Sequence, residues 1–314
     1  MRERRRAKWV ATKPRCMPLP SRDREGAPFK HRLIEYHQGH TLLLVESKRD
    51  KSEMIRLLIA LASMAAATVP AFAEKGILLE DLTWVEAEKV LTPQTVVVIP
   101  VGAESKEHGP HLKLRNDFVM AEYFKRQVLA QADVVVAPTV NYSYYPAFVE
   151  YPGSTTLRLE TARDTFVDIC RVLSTYGPRR FYALNTGVST NRPLAAAAKI
   201  LNGEGIHFAY TNLLEASAEA EKAVSKQEGG THADEIETSI MLYIDPDSVD
   251  MSKAVKDYHP GKGALTRDPK KSGAYSASGI YGDATLATRE KGEVVVQAIL
   301  QTVLSDIEKL RQTP

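Results

Sequence analysis

Between strand-like and helix-like segments, the chain places carboxylates, two imidazoles and two glycines in one run, Gly102-Ala-Glu-Ser-Lys-Glu-His-Gly-Pro-His-Leu-Lys-Leu-Arg-Asn-Asp117. Neutral imidazole nitrogen and carboxylate oxygen are good ligands for zinc, manganese or iron. His108, Asp117 and one of the nearby glutamates could therefore converge on a divalent metal. A second reading needs no metal: Asn116 or Asp117 caps the helix that follows, and the histidines lie on the surface.

The elements around this run decide whether such a convergence is possible. Thr95-Val-Val-Val-Ile-Pro-Val101 reads as a buried parallel strand, and residues 117–131 read as a helix. Further strands are expected at 133–138, 180–185 and 205–210. Further helices are expected at 81–91, 160–176, 192–201, 233–243 and 285–311. Strands alternating with helices imply a mainly parallel sheet with helices on both faces. In such a sheet the loops that follow the strands share one edge, where sites form. The loops here are the His108 loop, the tyrosine-rich Asn141–Gly153, Asn185–Asn191 and Gly229–Ser239. His232, Asp234, Glu235 and Glu237 in the last of these are the best partners for His108 and Asp117, with His232 and Glu237 the candidates for proton transfer or metal binding. His232 is expected to cap the helix there, with Asp234 and Glu235 in a first turn that favours negative charge.

Four motifs, in order, carry a resemblance to the creatininase (creatinine amidohydrolase) family over residues 80–311. They are Pro100-Val-Gly-Ala103 with His108-Gly-Pro-His-Leu112 and Asp117; Tyr151-Pro-Gly-Ser154; His232-Ala-Asp-Glu-Ile-Glu-Thr-Ser239; and the segment Gly279–Gly292. The resemblance implies a three-layer αβα sandwich with a mainly parallel central sheet. It also implies hydrolysis of a non-peptide C–N bond in a small, often cyclic, amide or formamide. One or two divalent metals (zinc, manganese or iron) per chain are implied, polarising the amide carbonyl and activating water. By the same resemblance His108 and Asp117 are ligands, with Asp117 able to bridge two metals. His232 donates a proton or positions substrate, and Glu237 is a ligand or base.

This chain departs from the family pattern twice. The family glutamate two residues before the first histidine is Lys106 here, so Glu107, or Glu104 across one extra loop residue, is the candidate ligand. The family histidine after the third strand is absent, and Val188 cannot replace it. Lys106 is expected to supply part of the missing positive charge. His111, Tyr145 and Asn185 are expected to line the site. A small-ligand binding protein that keeps the fold but not the catalysis is the alternative to a hydrolase. A purely structural oligomer component is a third.

The start of the chain reads differently from the rest. Residues 54–73 combine a short basic start, an apolar run and an Ala-x-Ala ending, the pattern of a secretory signal peptide. Residues 1–53 are a basic, irregular leader. The first 73 residues hold 15 Lys and Arg against 7 Asp and Glu, so residues 74–314, with 26 against 32, carry a formal charge of −6. That balance argues against nucleic acid. The expectation is therefore one exported domain, periplasmic or extracellular, without a membrane anchor after cleavage. It is expected to assemble as a homo-oligomer, a hexamer included, and to act on a small amide. Cys170, on an apolar helical stripe, reads as a buried structural thiol.

Overall fold

The computed structural model describes residues 74–314. The expected leader and export signal, residues 1–73, lie outside them. Five parallel strands make the central sheet: β1 (Ile77–Leu78), β2 (Val96–Val101), β3 (Val135–Val136), β4 (Arg180–Asn185) and β5 (His207–Tyr210), in spatial order β1-β3-β2-β4-β5. Every pairing in this sheet is parallel. β2 is central and all six of its residues are buried, which explains its unbroken apolar sequence.

Alternation along β2 feeds two cores. Val96 and Val98 join Tyr182 and Leu184 in one apolar cluster. Val97, Ile99 and Val101 join Phe181 and Ala183 in the other. Burying each such aliphatic side chain contributes about 1.5–3 kcal/mol.

The helices are α1 (Trp84–Val90), α2 (Asn116–Gln131), α3 (Leu159–Ser174), α4 (Asn191–Gly203), α5 (Leu213–Ala216), α6 (Ala218–Val224), α7 (Glu235–Ile244) and α8 (Arg289–Arg311). Residues of α2, α7 and α8 pack on the first face, and residues of α3 and α4 on the second. The result is the three-layer αβα sandwich the sequence led us to expect. Cys170 is buried in the second core. Among the described residues no helix is long and apolar enough to cross a membrane.

Several boundaries differ from expectation, for local reasons. α1 starts at Trp84 rather than Asp81, because Thr83 and Glu86 form a capping box. α8 starts at Arg289, where Thr288 accepts from the Lys291 amide; residues 284–286 form a separate turn capped by Asp283. Neither Asn116 nor Asp117 caps α2: Arg115 holds the cap position without a side-chain bond, and both residues lie inside the first turn. The cap of α7 is Asp234, not His232. Its Oδ1 accepts from the Ile236 and Glu237 amides, both at 3.0 Å.

Candidate functional site

The segment after β2 is pulled against the start of α2. A Cβ on Gly102 would overlap the Asp117 carbonyl, so only glycine permits this approach. From the neighbouring strand end, the Thr186 hydroxyl contacts the Val101 and Asp117 carbonyls at 2.9 and 2.8 Å. The carboxyl ends of β2 and β4 and the first turn of α2 thus meet at one point.

Asp117 is buried there with both oxygens engaged. Oδ1 lies 2.8 Å from His108 Nε2, and Oδ2 lies 2.7 Å from Lys106 Nζ. The His108 Nδ1–H donates to the Lys106 carbonyl at 2.9 Å, so Nε2 is the nitrogen turned to Asp117 and, at 3.3 Å, to Glu237 Oε1. His232 is arranged in the same way. Its Nε2–H faces Glu107, 3.0 Å from the carbonyl and 2.9 Å from Oε1. Its Nδ1 lies 3.6 Å from Glu237 Oε2.

Supporting bonds hold the carboxylates. Glu237 accepts from the Ala233 amide at 2.6 Å and from Asn116 Nδ2 at 3.1 Å. Glu107 Oε2 accepts from the Gly109 amide at 2.8 Å, and the Glu107 amide donates to Ser154 Oγ at 2.9 Å. A Cβ on Gly279, which has φ +89°, would collide with the Glu107 carboxylate. Ala233 is the one non-glycine residue at positive φ (48°) among the described residues, and it sits between His232 and α7. A backbone held there costs roughly 1–3 kcal/mol.

The charges are mutually dependent. Burial and the Lys106 ammonium both favour a neutral His108, but the Asp117 and Glu237 carboxylates outweigh them and raise its pKa to about 9. Burial works against the charged forms of Asp117 and Glu237 as well. Lys106 and His108 overcome it at Asp117, and His108, His232 and Lys106 overcome it at Glu237, so both carboxyls are held below their usual range. Burial also opposes the Lys106 charge, yet the surrounding carboxylates raise its pKa. His111 lacks such support, and burial is the main cause that lowers its pKa to about 4.

Donor atoms of His108, His232 and Glu237 lie within 4.8 Å of one another. Each imidazole has its far N–H anchored on protein oxygen, which fixes the nitrogen offered to an ion. Two imidazoles and a carboxylate with a further position open suit a catalytic zinc or a related divalent ion. This set fits one ion, whose binding at His108 Nε2 displaces the proton there. It offers little to a second: Asp117 Oδ2 is paired with the buried Lys106, only Oδ1 is released when His108 gives up its proton, and Val188 has no donor atom.

A pocket of 110 Å³ opens on this cluster, with Lys106, Phe148, His232 and Glu237 in its wall. The Phe148 ring packs on His232 with centroids 4.3 Å apart, and Lys106 Nζ lies 4.8 Å from the same ring.

Of the residues singled out in the sequence, Lys106, Glu107, His108, Asp117, His232 and Glu237 come together. Glu104 does not: it is exposed and accepts from Asn141 Nδ2. His111 is buried beside Thr238, with Nε2 at 2.8 Å from its hydroxyl and Nδ1 without a partner. Tyr145 is buried with its hydroxyl 3.3 Å from Thr155. Asn185 braces its own loop, donating to the Gly187 and Thr211 carbonyls. Glu235 is not a simple first-turn charge, since it accepts from the Lys226 and Gln227 amides and pairs with Lys291. Sequence reasoning missed Asn116 and Ser154 as supports of Glu237 and Glu107. Their position inside two of the motifs was the available signal.

A family model described as Creatinine amidohydrolase matches residues 80–307. Creatinine amidohydrolase of Pseudomonas putida is 26% identical over 258 residues, covering 75% of this chain and 97% of that protein. Mycofactocin precursor peptide peptidase of Mycolicibacterium smegmatis is 30% identical over 206 residues, covering 63% and 78%. A solved structure described as Creatininase Mn matches with a TM-score of 0.64 at 24% identity, covering 76% of this chain and all of the other, a likeness of fold.

Proposed function

The chain belongs to the creatininase family, and on that premise we propose that it hydrolyses an amide-type C–N bond of a small molecule with the help of one divalent metal. The observation that carries the proposal is the convergence of His108, His232 and Glu237 beside a pocket walled by Lys106 and Phe148. The manganese form of the solved relative supports the metal class.

His108, His232 and Glu237 would hold the ion, which supplies Lewis-acid polarisation of the carbonyl and activation of water when bound. The chain's own groups do the rest. Lys106 keeps a fixed positive charge at the pocket wall, where it stabilises negative charge developing on the carbonyl oxygen. Glu107 anchors Nε2 of His232 and turns Nδ1 to the Glu237 side. That nitrogen serves either as a ligand or as the atom that passes a proton to the leaving nitrogen. Asn116 and the Ala233 amide keep Glu237 oriented. Phe148 packs against one face of the His232 ring and limits water there.

The test is metal per chain by mass spectrometry, with hydrolysis of cyclic amides and formamides followed alongside. One equivalent is expected, lost in His108→Ala and Glu237→Gln. His232→Ala separates its two roles: loss of metal assigns a ligand, and retained metal with lost turnover assigns the proton carrier. No metal after loading with zinc or manganese, together with no turnover, would overturn the proposal. The Lys106–Asp117 pair supports a second reading in that event, a binding protein that uses the same pocket without catalysis.

Export is part of the proposal and rests on residues 54–73. N-terminal sequencing of the protein from its native cells would find the chain starting at Glu74. A chain that retains residues 54–73 would overturn export by this signal.

A further inference from the structure

The pocket continues past the charged cluster into the apolar core. Asn116 and Asp117 occupy the first turn of α2, and Met120, one turn further on, lines the same pocket. On α7 Glu237 faces the cluster, while Ile236 and Ile240, a turn apart on one face, line the pocket. Ile299 of α8 and Leu213 of α5 complete this wall. Met120, Ile236, Ile240 and Ile299 all belong to the first core cluster and are 2–6% exposed. The apolar wall therefore adjoins the reacting groups in one pocket.

Two polar residues beside this wall are already engaged. Ser217 Oγ contacts Glu221 Oε1 at 2.5 Å, and Asp234 is held by Gln227 and the α7 amides. They ask little of a ligand, whereas an arm laid along the aliphatic wall buries its own methylenes. A dry apolar cavity of about 150 Å³ holds benzene. A pocket of 110 Å³ therefore suits a shorter arm, about three or four carbons.

We propose that the substrate of this site is an amide bearing a short aliphatic arm, which lies along Met120, Leu213, Ile236, Ile240 and Ile299 while the amide faces Lys106, His232 and Glu237. This rests on the hydrolase reading above for the position of the amide, but its test is a binding measurement. The purified full-length protein is titrated with the straight-chain primary amides from acetamide to hexanamide, with dissociation constants read by ligand-observed NMR. Affinity is expected to rise about fourfold per added methylene up to butanamide or pentanamide and then to level off. Filling the wall with Ile240→Phe, or with Leu213→Phe on the less buried helix α5, is expected to abolish the rise. A flat or falling series in the wild-type protein overturns the proposal, as does an unchanged rise in a folded filled variant. Hydrolysis of any amide with a flat series sinks the arm and leaves the hydrolase. A rising series without turnover in any metal form keeps the arm and sinks the hydrolase.

Discussion

Replacing Lys106 by Met tests how the centre of the site is built. Its ammonium lies 2.7 Å from Asp117 Oδ2, and the two side chains are 6% and 3% exposed. Removing one partner of a buried pair leaves the other charge unpaired, at a cost of about 3–5 kcal/mol. For a folded unit of this size, each kcal/mol lowers Tm by roughly 2–4 °C. Lys106→Met should therefore melt about 6–20 °C below wild type. Methionine is of similar length, so the loss reports charge rather than a cavity. The double variant Lys106→Met/Asp117→Asn removes both charges and should recover much of the loss. Urea or thermal unfolding of the four proteins closes the cycle, and the coupling between the two sites should be at least about 2 kcal/mol. Additive single losses, or a Lys106→Met protein within about 1 kcal/mol of wild type, would refute the pairing and the argument against a second ion built on it. The same variant should bind zinc more tightly, because a positive charge beside the donor set has been removed.

Other expectations follow from named contacts. The His111 pKa is lowered to about 4 by burial, so its neutral form is favoured in the folded state. The stability this lends is present above pH 6.5 and is lost as pH falls from there towards 4, by up to about 3 kcal/mol. His111→Asn should flatten that part of the stability curve, and an unchanged slope in urea titrations at pH 7, 5.5 and 4.5 would count against it. Gly279→Ala forces a methyl group onto the Glu107 carboxylate at φ +89°. It should cost about 1–3 kcal/mol and free the His232 Nε2 anchor, visible as a changed imidazole shift by NMR; a wild-type spectrum and Tm would disprove the contact. Gly292→Ala places a methyl group on the Ser239 carbonyl where α7 and α8 touch. A destabilisation of about 1–3 kcal/mol is expected in chemical denaturation, and a neutral result would mean that the helices do not pack this closely.

The sheet was legible in the sequence because β2 and β4 carry unbroken apolar runs and each is followed by a polar loop. β1 escaped notice: two residues, Ile77 and Leu78, hold no periodicity and are a strand only because β3 lies beside them. Strand 133–138 shrank to Val135–Val136 because only those two residues find partners on both sides. The cluster of His108, Asp117, His232 and Glu237 followed from topology, since loops at the carboxyl edge of a parallel sheet converge. The detail inside it did not follow. That Lys106 pairs with Asp117 depends on how their loop folds back, and that Glu107 serves His232 and Asn116 braces Glu237 depends on side-chain directions set by contacts 121 and 125 residues apart in sequence. Glu104 and Glu107 look equivalent in a sequence, and the turn at Gly109 and the space left by Gly279 choose Glu107.

The distance along the chain between His108 and His232 has a consequence for when a metal can be taken up. The donor set needs the loop after β2 and the start of α7, and α7 rests against α8, the last helix of the chain. A growing or extended polypeptide keeps His108 far from His232 and Glu237, so the full donor set exists only after the start of α7 has folded against the loop that follows β2. For a chain that folds after crossing a membrane, the selecting pool is the one outside. The identity of a metal bound there would then record the compartment where folding finished, and not the one where the protein was made.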